Sequence, residues 1–155
     1  MMYQLDDDDK IKILTSIEIK GRVSDIWEVL TDVGHWDKWS EHIAVVAGKF
    51  EKDESIKVRF NTPEGKVHFD RKLVIFEPQR VFCWEGESMF PGLKDHHIFY
   101  LEEKDGGKVR FVQADGFHGT ERSHEVVLVE EQLKGLYDVI NAELKDYMEK
   151  RSTAI

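Results

Sequence analysis

The end of the chain carries one long helical pattern, which sets the first condition on the fold. Between residues 123 and about 150, apolar side chains recur at intervals of three and four, at Val126, Val129, Leu133, Leu136, Tyr137, Ile140, Leu144, Tyr147 and Met148. This spacing predicts an amphipathic helix with a single apolar face. Because such a face must be buried, the remainder of the chain has to supply a matching apolar surface.

The preceding segments alternate as β-strands do. Residues 11–20 alternate apolar and polar side chains, with Leu14 as the exception, which predicts a half-buried strand. Runs bounded by turn residues predict further strands over residues 43–46, 56–61, 67–76, 80–86, 96–104 and 108–119. Tight turns between consecutive strands favour antiparallel pairing, so the chain is expected to form an antiparallel sheet of about six or seven strands.

Two short helices are expected between the first two strands. Ser24 is the predicted N-cap of a helix that contains Trp27, and Gly34 separates it from a second helix that holds Trp36 and Trp39. The order of one strand, two short helices, a run of strands and one long helix predicts an α+β fold. In this fold a curved antiparallel sheet wraps around the C-terminal helix.

The length of 155 residues fits a single domain, expected over residues 11–150, with short tails at 1–10 and 151–155. The first tail contains the acidic run DDDDK at residues 6–10 and is expected to be solvated and disordered. This run matches the enterokinase recognition sequence, so an engineered tag and a native tail are both open interpretations.

The composition argues against several classes of partner. The net charge is −9 and the sequence has no cluster of Lys and Arg, so no nucleic-acid partner is expected. No apolar run approaches the roughly 20 residues of a membrane span, and no signal peptide is apparent at the N-terminus. The expected location is cytoplasmic. The single cysteine, Cys83, lies in an apolar run and is expected to be a buried small hydrophobe.

A set of short motifs follows in a characteristic order, at residues 26–32, Trp39, 76–78, Phe82, Trp84, His97, Phe99, 101–102, Phe117, Gly119, 141–142 and 144–145. This order resembles the START-like, or SRPBCC, superfamily, and most of all its polyketide cyclase/dehydrase group. The resemblance covers roughly residues 11–150. It implies a helix-grip fold with a hydrophobic cavity for lipids, polyketides or other apolar molecules, and catalysis in only some members. Asp115 stands where the family often has Glu.

The last predicted hairpin fixes which side chains share a face. If its loop is 105–107, Lys104 lies opposite Lys108, and the numbers of paired residues sum to 212. His97 then faces Asp115, and Phe99 faces Gln113. Because opposed residues point to the same side of a sheet, the odd-numbered face is the aromatic one and is expected to line the cavity.

From these positions His97 and Asp115 are the candidate catalytic residues. The expected ligand-binding residues are Trp84, Phe99, Leu101, Phe111, Gln113, Phe117, Leu133, Tyr137 and Ile140. Asp115 is expected to fix the tautomer of the His97 imidazole and to favour its protonated form. Three roles remain open for this pair: a satisfied polar pair near the cavity mouth, a ligand-orienting group, or a general base.

No cofactor and no metal site are expected. The seven histidines include no two at i, i+4 on a predicted helix, and no Cys/His set has the spacing of a zinc site. His96 and His118 could share the outer face of the sheet, a position where surface histidines are common.

Three functions are compatible with the sequence. The first is binding of a hydrophobic small molecule such as a lipid or polyketide, with its transport as a further option. The second is a cyclase or dehydrase in which His97 removes a proton α to a carbonyl. The third is a protein-interaction role through Met89, Phe90 and Leu93, which lie in a loop expected to be exposed. A homodimer is a further option, through an apolar outer face of the sheet formed by Ile98, Tyr100, Val112 and Ala114.

Overall fold

A computed structural model describes residues 10–119 and 123–153. The strands are β1 (Ile13–Lys20), β2 (Ile43–Gly48), β3 (Ser55–Thr62), β4 (Gly65–Glu77), β5 (Val81–Glu87), β6 (Leu93–Lys104), β7 (Lys108–Asp115) and β8 (Phe117–Gly119). The helices are α1 (Val23–Leu30), a 3₁₀ turn (Trp36–Lys38) and α2 (His124–Thr153). Apart from Lys10, the predicted acidic tail lies outside the described residues.

The strands form one antiparallel sheet in the order β1-β7-β6-β5-β4-β3-β2, with β8 paired to β6. The sheet curves around α2, and Ile140, Leu144 and Met148 of this helix join the buried cluster on the inner face of the sheet. This is the predicted α+β helix-grip fold. Among the described residues, no helix has the length and apolar character needed to span a membrane.

The predicted register of the last hairpin is confirmed. Phe99 pairs with Gln113 and Lys104 with Lys108, and the same register continues into β8, where Leu93 pairs with Gly119. The strand is interrupted at Gly116, where the backbone before β1 passes very close. A Cβ on residue 116 would lie 2.1 Å from the carbonyl oxygen of Lys10, so only glycine fits there.

The start of α1 differs from the prediction. Arg22 occupies the N-cap position with extended backbone and no side-chain cap bond, so Ser24 lies inside the helix and is not its cap. The Arg22 guanidinium instead pairs with Asp25 in the first turn. Trp36 is buried, as expected for a side chain that covers the core, and its indole Nε1 donates to the carbonyl oxygen of Leu30 at 3.1 Å.

Both faces of the central strands are buried. On the outer face, Ile98, Tyr100, Val112 and Ala114 pack with Val81 and Cys83. All six are at most 4% exposed within the single chain. The face is therefore apolar, as the sequence indicates, but these six described side chains are covered within the chain and do not form the open apolar patch that motivated the homodimer prediction.

The loop before β6 also differs from the prediction. Met89 is 66% exposed, but Phe90 is half-buried and Leu93 is only 2% exposed. Leu93 begins β6 and packs with Phe117 and Val126. The expectation that all three loop side chains are exposed is therefore wrong for Leu93 and only partly right for Phe90.

Candidate functional site

A buried ion pair crosses the inner face of the sheet. Arg71 of β4 and Asp95 of β6 flank Gly86 of β5, which pairs with Asp95. The Arg71 Nε lies 3.3 Å from Asp95 Oδ2, and both side chains are less than a tenth exposed. A Cβ on residue 86 would lie 2.7 Å from the Arg71 side chain, so glycine at this position gives the guanidinium room to reach Asp95.

A chain of hydrogen bonds links His97 to α2 and β1. His97 Nε2 donates to Gln113 Oε1 at 2.8 Å, and Gln113 Nε2 donates to Asn141 Oδ1 at 2.8 Å. Asn141 Nδ2 donates to the Thr15 hydroxyl, which donates to the backbone oxygen of Gln113. All four side chains are buried. Since Gln113 presents its oxygen to Nε2, the proton of the neutral imidazole lies on Nε2 and the Nδ1 lone pair is left as an acceptor.

Asp115 lies between His97 and α2. Its Oδ1 accepts a hydrogen bond from the backbone N–H of Gly116 at 2.7 Å, and its Oδ2 accepts one from the Tyr137 hydroxyl. The same Oδ2 lies 3.4 Å from His97 Nδ1. One carboxylate oxygen each of Asp95 and Asp115 and a ring nitrogen of His97 all lie within 4.8 Å of one another.

Burial sets the protonation states of this cluster. It lowers the pKa of His97 to about 4, against which the charge of Asp95 acts only partly, so the imidazole is neutral near pH 7. Burial raises the pKa of Asp115 well above its ordinary value. The charge of Asp95 and a hydrogen bond between Asp115 and Asp95 act in the same direction but less strongly. Burial also raises the pKa of Tyr137 well above its ordinary value, with the charge of Asp115 adding to the effect. Burial therefore disfavours the charged form of each of these three side chains.

The predicted relation between His97 and Asp115 is only partly correct. The two side chains share a face and lie close together, as the register requires. However, His97 Nδ1 has no hydrogen-bond partner among the described residues, and Gln113, not Asp115, fixes the tautomer. The ring is also neutral and not protonated, because full burial disfavours the charged form more than the nearby carboxylates favour it.

A cleft of about 170 Å³ opens beside this cluster, between β3, β4, the 88–92 loop and the first half of α2. Its walls are mainly apolar and include Phe60, Val67, Phe69, Met89, Phe117, Val129, Leu133 and Leu136. Arg71, Asp95 and Tyr137 also line the cleft. A largely apolar surface with a few convergent polar groups is typical of a ligand site.

The predicted ligand-binding residues divide into two groups. Phe117, Leu133 and Tyr137 line the cleft. The others lie elsewhere on the inner face, fully or nearly fully buried and not on the cleft surface: Trp84, Phe99, Leu101, Phe111, Gln113 and Ile140. His97 and Asp115 likewise do not line the cleft, and they connect to it through Tyr137.

Sequence reasoning missed Arg71, Asp95, Asn141 and Thr15. Asp95 could have been found, because it lies two residues before His97 and so shares its face. It was missed because β6 was expected to begin at residue 96 and not at Leu93. The Arg71–Asp95 pair depends on three adjacent strands, and the only sequence signal was Gly86 within a strand.

A curved antiparallel sheet around one long helix, with an apolar cleft beside a buried polar cluster, places the chain in the helix-grip class of folds. The family model described as "Polyketide cyclase / dehydrase and lipid transport" matches residues 10–149, and the chain belongs to this family. No curated protein matches the sequence.

Several solved structures share the fold. DynU16, from the dynemicin biosynthetic locus, is 18% identical with a TM-score of 0.70, and the match covers 92% of this chain and 48% of DynU16. The di-domain ARO/CYC BexL, from the BE-7585A biosynthetic pathway, is 10% identical with a TM-score of 0.73, and the match covers 90% of this chain and 47% of BexL. The chain thus spans about half the length of each. The Aha1 dimer from Colwellia psychrerythraea is 22% identical with a TM-score of 0.61, and the match covers 88% of this chain and 95% of the Aha1 chain.

Proposed function

We propose that the protein binds a small hydrophobic molecule carrying a hydroxyl group, with its apolar body in the cleft and its hydroxyl directed at Asp95. The family supports hydrophobic ligand binding in general terms. The proposal of a hydroxyl group depends on one observation, which is that buried hydrogen-bond acceptors outnumber donors at the polar side of the cleft.

Two buried acceptors there have no hydrogen-bond partner among the described residues, namely Asp95 Oδ1 and His97 Nδ1. Asp115 has at most one proton to donate, and its hydrogen bond with Asp95 uses that proton, so His97 Nδ1 is left without a donor unless another group donates to Asp95. Because an unsatisfied buried acceptor costs about 1–3 kcal/mol, a further donor is favoured at this point. Asp95 lines the cleft, so the hydroxyl of a phenol or enol in the cleft can supply this donor.

The volume of the cleft limits the ligand. About 170 Å³ is less than the roughly 300 Å³ at which pockets for drug-sized ligands begin. The proposed ligand is therefore compact, such as a fused-ring phenol, or is a longer molecule of which only one end is inserted. Met89 lies at the cleft and is exposed, so its movement can widen the opening.

Titration calorimetry with 2-naphthol tests the proposal. Leu133→Trp fills the cleft, while Val139→Trp adds the same side chain at an exposed position of α2 and is the matched control. We expect Leu133→Trp to abolish binding and Val139→Trp to leave it unchanged. We expect 2-methoxynaphthalene, which lacks the donor, to bind about 10-fold more weakly than 2-naphthol. Equal binding to the two tryptophan variants would contradict the location, and equal affinity for the two ligands would contradict the role of the hydroxyl.

A second candidate function is a polyketide cyclase-type activity, favoured by the neutral imidazole of His97. Its Nδ1 lone pair lies 3.4 Å from Asp115, which is hydrogen-bonded to the cleft-lining Tyr137. In this function Tyr137 leaves Asp115 and opens a path from the cleft to the buried His97. His97 then accepts a proton α to a ligand carbonyl, and the freed Tyr137 hydroxyl donates to the developing enolate oxygen. His97→Gln should then reduce turnover of a linear triketone by about 100-fold or more while leaving its affinity nearly unchanged. Unaltered turnover would exclude His97 as the base.

The protein-interaction role has less support, because of the predicted loop residues only Met89 is strongly exposed. A homodimer remains a prediction. Among the structural neighbours, the Aha1 protein was solved as a dimer. Light scattering coupled to size-exclusion chromatography measures the oligomeric state directly.

A further inference from the structure

Three potential metal ligands converge on the outer face of the sheet, on the opposite side from the cleft. Glu85 of β5 pairs directly with His96 of β6. His118 of β8 pairs with Lys94, two residues before His96, so the two imidazoles lie on the same face as close neighbours. One carboxylate oxygen of Glu85 and one ring nitrogen of each histidine all lie within 4.8 Å of one another.

The separations are close to those of a metal site. His118 Nε2 lies 3.3 Å from Glu85 Oε2, and His96 Nδ1 lies 2.6 Å from the same oxygen. Ligand atoms at about 2.0–2.1 Å from a tetrahedral zinc ion are about 3.3 Å apart. The first separation already has this value. The second has to lengthen by about 0.7 Å for both atoms to bind one ion.

The accessibility of the cluster also fits a cation. The side chains of Glu85 and His118 are 19% and 24% exposed, so solvent reaches the cluster. Lys10 Nζ lies 3.5 Å from the Glu85 carboxylate, but its side chain is 41% exposed, so it can move into solvent when a metal ion binds. Within the described part of the chain, His118 Nε2 is buried without a hydrogen bond.

We propose that Glu85, His96 and His118 bind a divalent transition-metal ion on the outer face of the sheet. Two imidazoles and one carboxylate favour zinc, nickel, copper or iron over magnesium and calcium, which prefer oxygen ligands. Three protein ligands leave at least one coordination position open toward solvent. This site is absent from the sequence prediction because the three residues are brought together by cross-strand pairing and have no metal-ligand spacing along the chain.

The inner group of Asp95, His97 and Asp115 is a weaker candidate for a metal. Arg71 already pairs with Asp95, and burial raises the pKa of Asp115, which opposes the deprotonation that a metal ligand requires. A metal ion there would have to displace a proton and compete with a buried guanidinium.

Zinc titration of the full chain by isothermal calorimetry tests the proposal. We expect one tight equivalent in the unsubstituted protein. His118→Ala and Glu85→Gln should each weaken it by at least about 100-fold, since loss of a direct ligand exceeds the effect of losing a supporting residue. Both side chains reach solvent, so both variants should fold. His68→Ala removes an exposed histidine of β4 and is the matched control.

The acidic run at residues 6–9 is a competing zinc-binding segment that is present in every variant. If zinc binds to that run, His118→Ala will bind zinc as tightly as the unsubstituted protein does, and equal binding would overturn the proposal. The support expected is a zinc-dependent rise in Tm, together with a tetrahedral Co²⁺ absorption spectrum, both lost in His118→Ala and retained in His68→Ala. Absence of any stoichiometric zinc binding would also overturn it.

Discussion

The inner face of the sheet has two regions built on opposite principles. In the first, aromatic rings fill the space: Phe82 lies within 4.8–5.9 Å, between ring centroids, of Trp27, Phe50, Trp84 and Phe99. In the second, Arg71, Asp95 and Tyr137 border a cleft of about 170 Å³. We call these the packed region and the polar region.

The difference separates stability from binding. The packed region gains stability from close contact among large apolar side chains. The polar region contains buried charges and unsatisfied acceptors, which cost stability unless they find partners. A ligand is therefore expected to bind in the polar region, where it can donate hydrogen bonds to buried acceptors that the protein leaves without donors.

The largest expected effect concerns the Arg71–Asp95 pair. Arg71→Met should lower the free energy of unfolding by about 3–5 kcal/mol, because it leaves the buried Asp95 carboxylate without its cation. Chemical denaturation measures the loss. The double variant Arg71→Met/Asp95→Leu removes both charges and should recover most of it. If the double variant loses the sum of the two single losses, the pair is not coupled as described.

The next effect is the pH dependence that His97 confers on stability. Its pKa is about 4 in the folded protein and about 6.5 when unfolded, so between these values the unfolded chain binds more protons. The stability contributed by the neutral ring is complete above pH 6.5 and is lost as the pH falls toward 4. The advantage of the unsubstituted protein over His97→Gln should therefore grow by roughly 3 kcal/mol from pH 4 to 6.5.

This difference must be measured between variants, because Asp115 acts in the opposite direction. Its raised pKa means that the folded state retains a proton which the unfolded state releases above about pH 4, so its contribution falls as the pH rises. The two slopes oppose each other in the unsubstituted protein between pH 4 and 6.5. A pH-independent difference between the unsubstituted protein and His97→Gln would show that His97 is not held neutral.

A smaller effect distinguishes two glycines. Gly86→Ala places a Cβ 2.7 Å from the Arg71 side chain and 2.8 Å from the Asp70 carbonyl oxygen, and should cost about 1–3 kcal/mol. Gly135→Ala lies on an exposed part of α2 with nothing within 4 Å, and should stabilise by about 1 kcal/mol. Thermal or chemical unfolding measures both. Equal effects would mean that the close approach of Arg71 to β5 does not constrain residue 86.

Much of the fold could be predicted because it depends on short-range periodicity. The alternation along β1 and the three-and-four spacing of α2 each follow from local sequence. The register of the β6–β7 hairpin followed from its loop length, and it correctly placed His97, Phe99 and Gln113 on one face. The order of motifs then indicated the family, which the family model confirms.

The polar cluster could be predicted only in part, since its chemistry depends on depth and on distant strands. Sequence placed His97 near Asp115 but could not show that full burial lowers the pKa of the imidazole and raises that of the carboxyl. The pairing of Arg71 with Asp95 across β5 is likewise invisible to local patterns. Nor could side-chain size alone reveal that Trp84 and Phe99 pack against each other and do not border the cleft.

The central claim is that a ligand binds in the polar region and not in the packed region. Methyl-group NMR of the protein during titration with 2-naphthol tests it most directly. We predict saturable shifts for the methyl groups of Met89, Val129 and Leu133, which line the cleft. We predict none for Ile19 and Leu30, which do not line it and are buried in the same core cluster as the rings of the packed region. Shifts confined to Ile19 and Leu30, or no saturable shift at the cleft residues, would contradict the claim.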